Sequence, residues 1–153
     1  MTMGKNIRIL IVDDHAMFRQ VVRSILKPYP NIEVVGEASD GDEAVVSVGQ
    51  LKPAVVLMDV NMQKMDGVTA ARLIKVQYPE VAILGLSAKA KHYDIYAMQK
   101  AGALKSYRKN NRFRNCIQRS KERWRPSNRC SSWKRRLASI NHPKSLQAQI
   151  QSR

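Results

Sequence analysis

Acidic side chains are almost missing from the last third of this 153-residue sequence. Residues 105–153 hold 15 Lys+Arg against one acid, Glu122, and contain no Val, Gly or Asp. Residues 1–104 are different: 12 Lys+Arg face 11 Asp+Glu, and all 14 valines lie at or before Val81. The net charges are +1 and +14, which make up the formal +15. Two kinds of sequence meet near Leu104, and the whole-chain charge describes neither. Cysteine is scarce, with only Cys116 and Cys130. A disulfide between them stays open but nothing in the sequence argues for it, and a reduced cytoplasmic setting is expected. No apolar run approaches the roughly 20 residues of a membrane span, so no membrane partner is expected. The opening MTMGKNIRIL lacks the long apolar stretch of a signal peptide. The histidines His92 and His142 have no companions at ligand spacing, which excludes a zinc site built on them.

What is present is an alternation of strand-like and helix-like segments over the first 104 residues. Residues 7–12 (IRILIV), 54–58 (AVVLM) and 81–86 (VAILGL) are short apolar runs, expected to be buried strands. Residues 32–38 (IEVVGEA) alternate as a strand near a sheet edge does. Apolar residues at helical spacing predict helices over 15–27, 42–51, 66–78 and 92–100, with Asp40 capping the second. Pro28 and Pro79 stop the first and third. The order predicts an α/β fold, a doubly wound parallel sheet with helices on both faces. Ligands of such sheets bind beyond the carboxyl ends of the strands. The polar residues there are Asp13 and Asp14, Asp59, and Ser87.

Three carboxylates converging on one rim repel each other, and each raises the others' pKa. A hard divalent cation resolves the conflict; Mg²⁺ takes carboxylates, waters and a phosphate oxygen. An isolated Asp-Asp pair reads more simply as a helix cap. With Asp59 and Ser87 in register on neighbouring strands, the metal-site reading prevails.

The stretches ILIVDDHAMFRQ, VVLMDVNMQKMDG, LGLSA and AMQKAGA stand in this order. Together they resemble the receiver domain of bacterial two-component response regulators, over about residues 5–104. The resemblance implies a flavodoxin-like fold and a phosphorelay switch. Asp59 is then the phospho-acceptor, taking phosphoryl from a sensor histidine kinase or phosphotransfer protein. Asp13, Asp14 and Asp59, with the backbone carbonyl of Asn61, hold Mg²⁺. The Ser87 hydroxyl turns toward the phosphoryl oxygens. His15, beside the aspartates, carries no assigned chemistry. Such a domain catalyses its own phosphorylation and is not a conventional enzyme.

The sequence departs from that pattern in several places. Gln63 stands where the family usually has proline. Past AGA the family has a fifth strand, a rim lysine and a fifth amphipathic helix. By spacing, Lys109 takes the lysine's place. Its strand, KSYR, is polar where an apolar one belongs, and the aromatic switch position falls on Ser106 with Tyr107 one place late. The expected receiver domain therefore runs over 5–109, with its fifth strand and fifth helix open, and 110–153 is a basic, irregular tail without a legible output domain. Two alternatives stay open. The tail, with Trp124 and Trp133, binds nucleic acid non-specifically under control of the receiver. Or it is encoded out of frame, since permitted codons for 105–118 also read ILPKEQPLSELHS, and the receiver cannot switch. Self-association into a homodimer is also open.

Overall fold

Residues 6–89 and 91–110 are described by a computed structural model of the chain. Five strands and four helices alternate: β1 (Ile7–Val12), α1 (Ala16–Leu26), β2 (Ile32–Ala38), α2 (Gly41–Leu51), β3 (Val55–Asp59), α3 (Gly67–Gln77), β4 (Ala82–Ser87), α4 (His92–Lys100) and β5 (Lys105–Arg108). The strands form one parallel sheet in the order β2-β1-β3-β4-β5. From β1 the chain goes first to one side and then to the other, so the winding reverses between β1 and β3. Beyond the carboxyl ends of those two strands lies the crevice where such sheets bind ligands.

Side-chain alternation sorts the sheet into two cores. Leu10, Val12, Val56, Met58 and Ile83 pack with Ala44 and Val48 of α2, Ala70, Ala71 and Ile74 of α3, and Met98 of α4. Ile9, Ile11, Val55, Leu57, Leu84 and Leu86 pack on the other face with Val22 and Leu26 of α1. Apart from Arg8 and the polar ends Asp59 and Ser87, β1, β3 and β4 are apolar because neighbours cover both faces. β2 alternates and lies at an edge, as its pattern predicts. Among the described residues, no helix is long and apolar enough to cross a membrane.

β5 forms despite its polar sequence. Its partners run from Leu84↔Lys105 to Ser87↔Arg108. The ladder is made by backbone groups, which do not need apolar side chains, and β5 is no more than partly buried. The register places Ser106 against Gly85 and Met98 on the α4 side, while Tyr107 packs against the α1-side core. The Tyr107 ring therefore stands on the sheet face opposite to Ser106, one residue from the position expected for the switch aromatic. The expected fifth helix and the basic tail lie outside the described residues.

Candidate functional site

The rim is built by strands that end in charge. β3 runs VVLMD, and its last residue, Asp59, is 2% exposed. Asp13 follows β1 at once and is fully buried. Its backbone N–H still donates to the Ala38 carbonyl at 3.1 Å, so the sheet fixes where its side chain leaves the backbone. Ser87 closes β4 and is 1% exposed. Asp14 is more open to solvent than either buried aspartate.

These strand ends bring the expected residues together. Ligand atoms of Asp13, Asp14, His15 and Asp59 all lie within 4.8 Å of one another. Lys109 Nζ sits between two of the carboxylates, 2.6 Å from Asp13 Oδ2 and 2.7 Å from Asp59 Oδ2. Spacing alone had put Lys109 at the rim; here its ammonium bridges β1 and β3. Its backbone N–H donates to the Ser87 carbonyl at 2.9 Å, which continues the β4–β5 ladder by one bond. The Asn61 N–H donates to Asp59 Oδ1 at 3.3 Å, and the Asn61 side-chain amide donates to Ser87 Oγ at 3.4 Å.

Burial pushes the Asp59 carboxyl above its ordinary range. The Lys109 ammonium pulls it back only in part, and the Asp13 charge adds to the rise. Three carboxylates against one ammonium leave the rim short of positive charge. The carboxylates of Asp13, Asp14 and Asp59 offer hard oxygen donors clustered at the rim, so they fit a Mg²⁺-type cation.

His15, expected to have no chemistry, belongs to this cluster. It is the N-cap residue of α1 and does not cap through its side chain. Instead its Nδ1 lies 2.6 Å from Asp14 Oδ1, and its backbone N–H donates to Asp13 Oδ1 at 3.0 Å. The helix-cap reading of the aspartates is thus replaced by a local loop bond from Asp13. Arg19 gave no signal in the sequence. Its Nη1 donates to the Asp13 carbonyl at 2.6 Å and its Nε to Glu37 at 2.9 Å, which ties the aspartate loop to β2. Phe18, one residue earlier, places its ring 4.7 Å from Lys109 Nζ. Nothing in a linear pattern marks a helix residue that meets a lysine 91 positions on.

The loop after Asp59 is held from two sides. Lys64 Nζ donates to Asp40 Oδ2 at 2.9 Å, and Asp40 also caps α2 by accepting from Glu43 N–H at 2.9 Å. Asp66 caps α3, accepting from the N–H groups of Val68 and Thr69. These ties stand near Gln63, where the family usually has proline.

Comparison with known proteins agrees with this geometry. The response regulator receiver domain family matches residues 9–121, past the composition break at Leu104. The transcriptional regulatory protein DegU of Brevibacillus brevis is 42% identical over 97 residues, 63% of this chain and 41% of its own length. The response regulator protein VraR of Staphylococcus aureus is 41% identical over 96 residues, 63% of this chain and 46% of its own. The chain therefore spans less than half the length of these relatives. Among solved structures, the response regulator domain of Thermotoga maritima CheB superposes with a TM-score of 0.69 at 31% identity, over 77% of this chain and 92% of that one. With a family match over most of its length, on a sheet that carries the acidic rim and its lysine, the chain belongs to the response regulator receiver domain family.

Proposed function

We infer that the rim is a phospho-acceptor site and that Asp59 takes the phosphoryl group. One observation carries this reading: Lys109 Nζ bridges Asp59 and Asp13 at the point where the sheet's winding reverses. A buried carboxylate at that point, next to a fixed cation and a serine hydroxyl, suits attack on phosphorus. Phosphoryl transfer needs little covalent work from a protein. It needs in-line positioning and neutralisation of charge on the equatorial oxygens.

The contacts support a role for each residue. An Asp59 carboxylate oxygen forms the new O–P bond as the P–N bond to the donor's phosphohistidine breaks, and the imidazole leaves with the electron pair. Lys109 passes from Asp59 to a phosphoryl oxygen. Ser87 Oγ, beside the Asn61 amide, is placed to donate to another. Asp13 and Asp14, with Asp59 and the Asn61 carbonyl, would hold Mg²⁺, which when bound would supply positive charge to offset that of the transferred group. His15 and Arg19 fix the loop that carries the two aspartates.

The donor is a sensor histidine kinase or a phosphotransfer protein, and the product is a switch. An acyl phosphate adds up to about two negative charges at the rim, around which the neighbouring loops reorganise. A cytoplasmic location belongs to the same reading. The test is intact-mass spectrometry after incubation with acetyl phosphate, with and without Mg²⁺. The expected result is a gain of one phosphoryl group that needs Mg²⁺ and is absent in Asp59→Asn. Equal labelling of the variant would overturn the assignment.

A further inference from the structure

Lys109 is held more firmly than the strand before it explains. β5 is four residues long and polar, and none of its side chains is fully buried. A lysine just past such a strand has a flexible stem and a strongly hydrated ammonium. Yet the Lys109 side chain is only 9% exposed. The two carboxylates account for one side of the ammonium. The Phe18 ring accounts for another, with its centroid 4.7 Å from Nζ.

Phe18 stands in the first turn of α1, and its N–H donates to the His15 carbonyl at 3.0 Å. Its ring packs against the α1-side core, as Leu104 and Tyr107 do. One short stretch of chain thus carries the two metal-site aspartates and the ring that backs the lysine. We propose that Phe18 is the positioning residue for Lys109, holding its ammonium at the rim while the anion opposite changes from the Asp59 carboxylate to an incoming phosphoryl group. The physical reason is that the two kinds of contact respond differently to the reaction. The Lys109–Asp59 contact has to loosen for Asp59 to attack. The attraction of a cation to the face of a ring does not depend on which anion stands opposite. Without the ring, an ammonium released from Asp59 would be held by Asp13 alone, and the polar β5 offers little more to fix its direction. Phe18 has no polar side-chain atom to offer a metal or a phosphoryl group, so the role argued for it acts through the lysine. The proposal rests on the reading of Asp59 as the acceptor.

The experiment is a double-mutant cycle on the full chain, read as the rate of phosphorylation by acetyl phosphate at saturating Mg²⁺. Phe18→Leu keeps an apolar side chain without the ring face, and is expected to lower the rate roughly three- to tenfold. Phe18→Tyr keeps the ring and is expected to restore most of the rate. In a Lys109→Met background, Phe18→Leu is expected to change nothing further. A wild-type rate for a folded Phe18→Leu chain would overturn the proposal. So would an equal fractional loss with and without Lys109, which is the signature of a packing role. A second readout needs neither variant nor phosphorylation. In the wild-type chain, proton NMR should show the Lys109 Hε resonances shifted upfield by the ring, and unshifted resonances would also overturn it. If the wild-type chain takes up no phosphoryl group while the ring shift is present, the acceptor reading fails and the contact stands.

Discussion

At Asp59, desolvation and the nearby Asp13 charge both oppose ionisation, and Lys109 offsets them only in part. The Asp59 charge is thus held against the preference of the fold. Asp59→Asn keeps the shape and removes the charge. We expect it to raise stability in the absence of divalent cations by about 1 kcal/mol, a few degrees in Tm. Mg²⁺ should then stabilise the wild-type chain more than the variant, because only the wild type gains the full binding linkage. Thermal melts with and without MgCl₂ check both; an unchanged or lower midpoint for the metal-free variant would count against the charge conflict. Asp66 shows the opposite balance. Burial would raise its pKa, but hydrogen bonds from the Thr69 N–H and hydroxyl and from the Val68 N–H outweigh it and leave the group below its ordinary range. A depressed folded pKa means stability that is complete above the unfolded value and lost as pH falls through the folded one. Asp66→Ala should cost about 1 kcal/mol at neutral pH. The gap to wild type in urea unfolding should close in acid, and a gap independent of pH would contradict the cap's charge. At this scale Asp13, Asp14, Asp59 and Ser87 were legible because strand ends are legible. Phe18, His15 and Arg19 were not, because their roles exist only through contacts that folding creates.

The elements were legible to within a residue or two where hydrophobic pattern and stop signals agreed. α4 matches the expected 92–100 and β2 the expected 32–38, while β3 runs one residue further than its apolar run, to include Asp59. β5 was the exception. Its residues predict no strand by composition, and the chain's composition breaks one position before it begins. It forms because β4 offers an unpaired row of backbone groups, and a ladder does not ask for valines. The β3–α3 connection shows a similar dependence on backbone rather than side chain. Gly67 opens α3 against the end of β3, and a Cβ there would fall on the Asp59 carbonyl and come within 3.0 Å of the Val60 Cα. Backbone cannot yield as a flexible side chain does. Gly67→Ala should therefore cost about 1–3 kcal/mol, and should slow phosphorylation because the loop after Asp59 is forced outward. Urea unfolding read beside acetyl phosphate labelling tests the pairing. Lost stability with an unchanged labelling rate would separate this glycine from the site.

Over the whole chain, the near-neutral first two-thirds and the basic remainder belong to different physics. The family match to residue 121 and the seat of Lys109 carry the receiver past the composition break, so charge and fold do not change at the same place. Under the open reading in which the +14 of residues 105–153 meets nucleic acid, the contact is through phosphates alone. Affinity for duplex DNA should fall steeply with salt, ignore base sequence and be indifferent to Asp59→Asn. A binding titration over a salt series checks this, and a clear sequence preference would contradict it. The central claim is narrower: that the strand ends and Lys109 assemble a working acceptor site around Asp59. The most direct measurement is to phosphorylate the full chain with acetyl phosphate and Mg²⁺, trap the acyl phosphate by borohydride reduction, and locate the altered residue by peptide mass mapping. The account predicts a single altered position, Asp59, lost when Mg²⁺ is withheld. Alteration at Asp13 or Asp14, or none in folded protein, would contradict it.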